Sequence, residues 1–352
     1  MKEKKNKISI FCSSIVVVLI LSICLGGCGK GKNPKDQKYS EGVFAMDTYM
    51  SLTAHGSKGE EAVKAGIEEI KRLDEIWSVG NKDSEVTQIN EKGGGAISED
   101  TVLIIKKALA LSEGTNHAFS VTVYPLMELW GFTSGKYQVP SEDEIKEKLF
   151  LVDDTKVVLD EKKGSVTLAP GQQIDLGAIA KGYTSSRIME MWKKMGISSG
   201  MVSLGGNVQV MGTKPDGSDW KIGVQNPKDK EGEMLGVLQV NDCSVITSGG
   251  YERYFEKEGK TYHHIINPVT GEPSENGLTS VTIVSKDGTL ADGLSTALFV
   301  MGKEKAIAYW KEHKKEFEAI LVEETGEVFV TEGLKERFTM RDSRQQIHYV
   351  VS

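Results

Sequence analysis

The chain has 352 residues, 39% of them hydrophobic and 26% charged, a globular composition that excludes fibrous and disordered classes. Its formal net charge is −7, from 43 basic and 50 acidic side chains, which excludes a general electrostatic grip on nucleic acid. The length suffices for one large domain or two lobes, each with a core of its own.

Residues 1–27 read as an export signal. Lys2, Lys4, Lys5 and Lys7 precede an apolar run from Ile8 to Leu25, and the run closes on Leu25-Gly26-Gly27-Cys28. The small residues before the cysteine resemble a bacterial lipoprotein signal, in which Cys28 becomes the lipidated, palmitate-bearing first residue. An uncleaved anchor is the alternative, because the run is just long enough to span a bilayer. Either way the globular part is expected on the extracytoplasmic face of the membrane. Without residues 1–27 the chain has 325 residues and a net charge of −10. Cys12 and Cys24 leave with the signal and Cys28 carries lipid, so Cys243 remains alone, with no partner for a disulfide, zinc ribbon or redox pair. Residues 28–40 read as a polar tether.

An apolar period at Val63, Ile67, Ile70, Leu73 and Trp77 predicts a helix over residues 60–77. A second helix is expected at 100–113 behind a cap at Ser98, and a third begins at Ser141 with Glu144 three residues on, a capping-box pattern. Residues 157–159 and 165–169 predict a hairpin, followed by a helix at 178–195. Strands are expected at 200–211, 220–225, 236–240, 262–266 and 279–285. Helices at 290–301 and 303–313 and short strands at 319–322 and 328–331 complete the pattern. Strands and helices mix without regular βαβ alternation, which predicts an α+β fold in a catalytic domain at 41–335, with 336–352 as a C-terminal tail.

Common nucleotide-loop, zinc-protease and hydrolase-elbow motifs are absent. Glycine-rich polar islands stand in their place. Ile174-Asp175-Leu176-Gly177-Ala178-Ile179-Ala180-Lys181-Gly182-Tyr183 passes from strand to helix, where free N–H groups and Lys181 suit a phosphate; a tight turn with an exposed lysine is the other reading. Ala291-Asp292-Gly293-Leu294-Ser295-Thr296-Ala297 puts Asp292 and Thr296 on one helix face, a hard oxygen pair suited to Mg²⁺. Equally, Asp292 could cap the helix while Ser295 and Thr296 bond back to its turns. Thr247–Arg253 reads T-S-G-G-Y-E-R, and further on His263 or His264 ends a strand before Asn267-Pro268, as a general base or as a brace for the turn. Met46-Asp47-Thr48 lies in the first strand-like segment, and the stretch from His117 to Phe132 offers an aromatic wall, for a flat ring or for the core.

In this order the islands resemble the ApbE family of FAD:protein FMN transferases over nearly all of the chain from Met46 to Thr331. M-D-T, A-F-S-V-T-V-x-P-L…L-W-G-F, I-D-L-G-A-I-A-K-G-Y, L-G-G-N, T-S-G-G-Y-E-R, H-H-I-I-N-P-x-T-G-x-P and A-D-G-L-S-T-A-L carry the resemblance. It implies a two-lobed, T-fold-like mixed sheet with packed helices. It also implies Mg²⁺-dependent transfer of FMN from FAD to a Thr or Ser hydroxyl of an acceptor protein, with release of AMP. The implied metal ligands are the Ala178 carbonyl, Asp292 and Thr296, with Ser295 beside them. Met46, Ala118-Phe119-Ser120, Asp175 and Lys181 are the implied FAD contacts, and His264 the residue that activates the acceptor. Acceptors in the family include extracytoplasmic flavoproteins of electron-transfer chains. Ser120 stands where the family usually has Asp, so restoring Asp there is expected to tighten FAD binding. Gly80 stands where many members have a Tyr covering the flavin, and Asn267 where Asp is frequent. An FAD pyrophosphatase and a non-catalytic flavin-binding lipoprotein are the alternatives.

Overall fold

The computed structural model describes residues 37–228, 233–342 and 346–352. The signal at 1–27, Cys28 and most of the tether lie outside the described residues. β1 (Lys38–Ala45) and β2 (Thr48–His55) form a hairpin, followed by α1 (Gly59–Trp77), α2 (Glu85–Lys92), β3 (Gly94–Ala96) and α3 (Glu99–Gly114). α4 (Tyr124–Trp130), α5 (Glu142–Leu149), a 3₁₀ turn (Asp154–Lys156), β4 (Val158–Asp160) and β5 (Ser165–Thr167) lead into α6 (Gly177–Met195). Then come β6 (Gly200–Leu204), β7 (Asn207–Met211), β8 (Trp220–Gln225), β9 (Met234–Val240) and β10 (Cys243–Gly249). The hairpin of β11 (Tyr254–Lys257) and β12 (Lys260–His263) precedes β13 (Leu278–Ser285), α7 (Gly288–Met301) and α8 (Lys303–His313). β14 (Phe317–Glu323), β15 (Val328–Thr331), β16 (Phe338–Met340) and β17 (Ile347–Val350) end the chain.

Nine strands form one sheet in the order β1-β2-β6-β7-β10-β13-β14-β15-β17, with every pair antiparallel except β15 and β17. Alternate side chains of each strand face opposite sides, and both sides are covered. On one, Ile246, Val281 and Ile283 pack with Leu294 and Leu298 of α7 and Ile179 of α6. On the other, Val245 and Val284 meet Ile222 and Leu238 of the small sheet β16-β9-β8. The hairpin β11-β12 stands apart over a satellite core of Leu126, Trp130, Phe132, Ile145 and Ile266.

The α+β class and most expected elements are borne out. Three differences matter for the site. The strand expected at 200–211 is two, folded back at Gly205 and Gly206, whose φ values of 59° and 95° suit glycine. Met46 and Asp47 are not within a strand but form the tip of the β1-β2 hairpin, both left-handed at φ 47° and 58°. β10, central in the sheet, has no counterpart among the expected strands. Residues 336–352, set apart as a tail, supply β16 and β17, and β17 pairs with β15 in the main sheet. The buried thiol of Cys243 is pushed up to about 12 by burial, which leaves it unreactive.

Candidate active site

Helices α6 and α7 cross so closely that a Cβ added at Gly182 would stand 2.2 Å from the Gly288 carbonyl oxygen and 2.5 Å from Cβ of Asp292. At this crossing the Gly182 N–H donates to Asp292 Oδ2 at 2.7 Å. In a regular helix that N–H serves the carbonyl four residues back, which is that of Ala178. The Ala178 oxygen, like any helix carbonyl, keeps a second lone pair beside its intrahelical bond, and it lies in the same turn as the Gly182 N–H that Asp292 accepts. Asp292 is 4% exposed, and burial raises its carboxyl above the usual range against the opposing pull of Lys181 and the Gly182 N–H.

The capping role weighed for Asp292 belongs to Asp287, whose Oδ1 accepts the N–H groups of Thr289 and Leu290 at 2.9 and 3.2 Å. The two hydroxyls of α7 also separate. Ser295 is fully buried, donates to the Asp292 carbonyl at 2.7 Å and meets Ser248 at 2.7 Å. Thr296 keeps partial exposure and lies 3.3 Å from Ser248 Oγ, so its hydroxyl is the freer of the pair.

Lys181 draws down the carboxyls of Asp292, Asp175 and Glu252, so these groups share one electrostatic neighbourhood. The Asp175 carboxyl is raised by burial and accepts the Gly177 N–H at 2.8 Å. That bond occupies one of the free N–H groups at the start of α6. Burial, together with the Asp292 charge, pushes the Glu252 carboxyl up to about 7. Glu252 and Arg253 are nevertheless exposed residues, so the neighbourhood opens to solvent on their side. Asn207, 3% exposed in the first position of β7, directs its buried side-chain amide toward Asp292 and favours the ionised form of that carboxyl.

The adjacent histidines divide by role. His263 donates from Nε2 to the Ser274 carbonyl at 3.1 Å and accepts the Ile265 N–H on Nδ1 at 3.2 Å, so both nitrogens brace the turn. His264 Nδ1 lies 3.1 Å from the Arg253 carbonyl, which can only accept; Nδ1 thus carries the proton and Nε2 the lone pair. Burial and the Arg253 charge pull this imidazole down to about 3, which keeps it neutral.

The Met46–Thr48 tip packs on the L-G-G-N turn, where a Cβ on Gly205 would lie 2.4 Å from Thr48 Oγ1. Ala118 and Phe119 are core residues at 9% and 1% exposure, so their side chains are not surfaces for a nucleotide. Trp130 and Phe132 likewise belong to the satellite core and form no free aromatic wall. Ser120 Oγ lies 2.9 Å from Asp154 Oδ1. A carboxyl thus already occupies the neighbourhood into which Ser120→Asp would bring a second one. Glu252, Asn207 and Ser248 carried no role in the sequence reading. Glu252 had a signal, a carboxylate inside a glycine island; the other two were set by strand pairing.

Comparison with known proteins identifies the family and the fold. The family model described as "ApbE family" matches residues 46–321. An FAD:protein FMN transferase of Klebsiella pneumoniae (strain 342) is 33% identical over 314 residues, covering 88% of this chain and 96% of that one. Another, of Treponema pallidum (strain Nichols), is 31% identical over 351 residues, covering 93% and 96%. The crystal structure of the ApbE protein from Thermotoga maritima superposes with a TM-score of 0.80 at 35% identity, covering 87% of this chain and 100% of that one. Flavin transferase ApbE from Vibrio cholerae does so at 0.76 and 26% identity, covering 86% and 99%.

Proposed function

The chain belongs to the ApbE family, and on that premise we infer that it is an FAD:protein FMN transferase, moving FMN from FAD to a Thr or Ser hydroxyl of an acceptor flavoprotein with release of AMP. The observation that carries the reading is the α6-α7 crossing, where the buried Asp292 carboxyl and the partly exposed Thr296 hydroxyl of α7 meet the first turn of α6, which carries the Ala178 carbonyl.

These are hard oxygen donors, the set that suits Mg²⁺. A buried carboxyl raised by desolvation is also the group whose burial cost a divalent cation would offset. Asp292, Thr296 and the Ala178 carbonyl would hold the ion, with Ser295 bracing from behind. When bound, Mg²⁺ supplies charge stabilisation to the pyrophosphate oxygens. Lys181 and Arg253 add fixed positive charge beside the carboxyls of Asp175 and Glu252, which suits a dinucleotide's anionic centre. Met46, the backbone of residues 118–120 and Asp175 contribute to holding FAD.

His264 is the candidate base by geometry, because the Arg253 carbonyl holds the proton on Nδ1 and leaves Nε2 as acceptor. The burial and Arg253 charge that keep the ring neutral also oppose the imidazolium it would form. It therefore acts by orienting the acceptor hydroxyl and taking its proton only as the phosphorus–oxygen bond forms. In the transfer, the acceptor oxygen bonds to the FMN phosphorus and its proton passes to Nε2. The phosphorus–oxygen bond to the AMP half breaks, and AMP leaves with the electron pair. We place the enzyme outside the cytoplasm, tethered through Cys28 near electron-transfer acceptors. Incubation with FAD, Mg²⁺ and a Thr-bearing acceptor is expected to leave flavin fluorescence on the denatured acceptor. Free FMN and AMP alone would instead make the chain a pyrophosphatase, and unchanged FAD would make it a passive binder.

A further inference from the structure

Asp154 opens the 3₁₀ turn, far in sequence from every island, and is 6% exposed. Its Oδ1 accepts from Ser120 Oγ at 2.9 Å, Thr122 Oγ1 at 2.9 Å and the Thr122 N–H at 3.2 Å. Its Oδ2 is sealed from solvent and has no hydrogen-bond partner among the described residues. Burying a carboxyl is costly, and here its bonds converge on one three-residue stretch.

Between the two gripped residues lies Val121, whose carbonyl accepts the Asp175 N–H at 2.8 Å. The Asp175 carboxyl in turn accepts the Gly177 N–H at the start of α6, the helix that carries Ala178 and Lys181. The same loop is tied down from the other side, where Gln172 Nε2 donates to the Asp153 carbonyl at 2.7 Å and the Leu151 carbonyl at 3.3 Å. The 3₁₀ turn is therefore fixed to residues 120–122 and to residue 172 together, and Asp175 hangs between them.

The geometry points to Asp154 as a positioning residue for the FAD site: it sets the 118–122 stretch and, through Val121, aims the Asp175 carboxyl, without touching the nucleotide. This rests on the flavin-transfer reading above. It also accounts for the serine at 120. A hydroxyl can bond to the neighbouring carboxyl, whereas an aspartate would set two carboxyls side by side, which cannot both ionise at such a distance.

The test is a set of variants of the mature chain, assayed for FAD KM, kcat, acceptor KM and thermal unfolding. Asp154→Ala is expected to raise the KM for FAD about tenfold, the scale of one lost hydrogen bond to a carboxyl. Its kcat at saturating FAD stays within about twofold. Asp154→Asn, which keeps an acceptor oxygen for the three donors, restores FAD KM. Ser120→Asp alone loosens FAD, and combined with Asp154→Ala it recovers, because one carboxyl again serves the Thr122 N–H. A lowered Tm with unchanged FAD KM in Asp154→Ala makes the residue merely structural and overturns the proposal. Should that variant not fold, Ser120→Asp alone decides: weaker FAD binding supports the proposal, and equal or tighter binding overturns it. A wild-type chain that neither binds nor turns over FAD overturns the functional reading and this inference with it, whereas active wild type with an indifferent Asp154→Ala overturns this inference alone.

Discussion

Gly182→Ala places one methyl group at the α6-α7 crossing and tests whether that crossing builds the site. The added carbon would meet the Gly288 carbonyl oxygen at 2.2 Å, and that oxygen belongs to the backbone of α7 and cannot swing aside. Relieving the overlap requires the helices to part by roughly 1 Å. Overpacking of this kind costs about 1–3 kcal/mol. The same displacement breaks the 2.7 Å bond from the Gly182 N–H to Asp292, a bond to a carboxyl worth about 1.5–3 kcal/mol. Alanine returns about 1 kcal/mol through its better helix propensity. The net loss is about 1.5–5 kcal/mol, or roughly 2–8 °C in Tm for a domain of this size. Activity falls further than stability, because Ala178 and Lys181 ride on one helix and Asp292 and Thr296 on the other. The assay pairs thermal unfolding with Mg²⁺-dependent flavinylation at a temperature where the variant is folded. Gly196→Ala is the control. It puts a side chain at the α6 C-cap, at φ 87° with open space around it, so it costs about 1–2 kcal/mol in backbone strain and leaves the crossing alone. A Gly182→Ala protein with wild-type Tm and wild-type transfer would refute the reasoning outright.

The other substitutions separate roles within the same neighbourhood. Asp292→Asn is expected to lower transfer by at least about a hundredfold while raising the Tm of the metal-free protein above pH 7, since it removes a carboxyl whose ionisation burial opposes; a metal-free Tm that falls would count against that electrostatic account. Thr296→Ala is expected to weaken the Mg²⁺ dependence of transfer by roughly tenfold or more, and Ser295→Ala to act mainly on stability by about 1 kcal/mol through its bond to the Asp292 carbonyl; equal Mg²⁺ titrations for both variants would contradict the division. For His264, the native imidazole titrates near 3 against an ordinary value of 6.5, so between these values the unfolded chain binds a proton that the native one does not. Its contribution to stability is therefore complete above about pH 6.5 and lost as the pH falls towards 3, and the difference in unfolding free energy between wild type and His264→Gln should grow with pH across that window; kcat should show no acid limb centred near 6.5. Gly80→Tyr is expected to fold normally, since only Ser78 Oγ, at 3.8 Å, lies near an added Cβ, and to tighten FAD binding about tenfold by giving the flavin an aromatic cover; unchanged titration would remove Gly80 from the site.

What could be read from the sequence was local, and what escaped was made by strand order. The spacing of Asp292 and Thr296 places them on one face of α7 whatever that helix packs against. The competing cap was undecided because Asp287, five positions earlier, begins the helix sooner than its apolar period suggests. β10 was missed for a related reason. It lies between β7 and β13 with both faces covered, so Cys243-Ser244-Val245-Ile246 is buried throughout and shows no alternation of polar and apolar residues. Because that strand was unseen, nothing joined Ser248 to Thr296, or Glu252 to Lys181 and Asp292. Ser120 shows the same limit from another side. Its replacement for aspartate reads as a lost charge when residues are compared position by position, but the carboxyl at that point comes from Asp154, and only the folded chain brings the two together. A departure from a family pattern at a buried polar position thus has no sign until its spatial neighbours are known: the same Ser120→Asp change strengthens a site that lacks a carboxyl and disrupts one that already holds it.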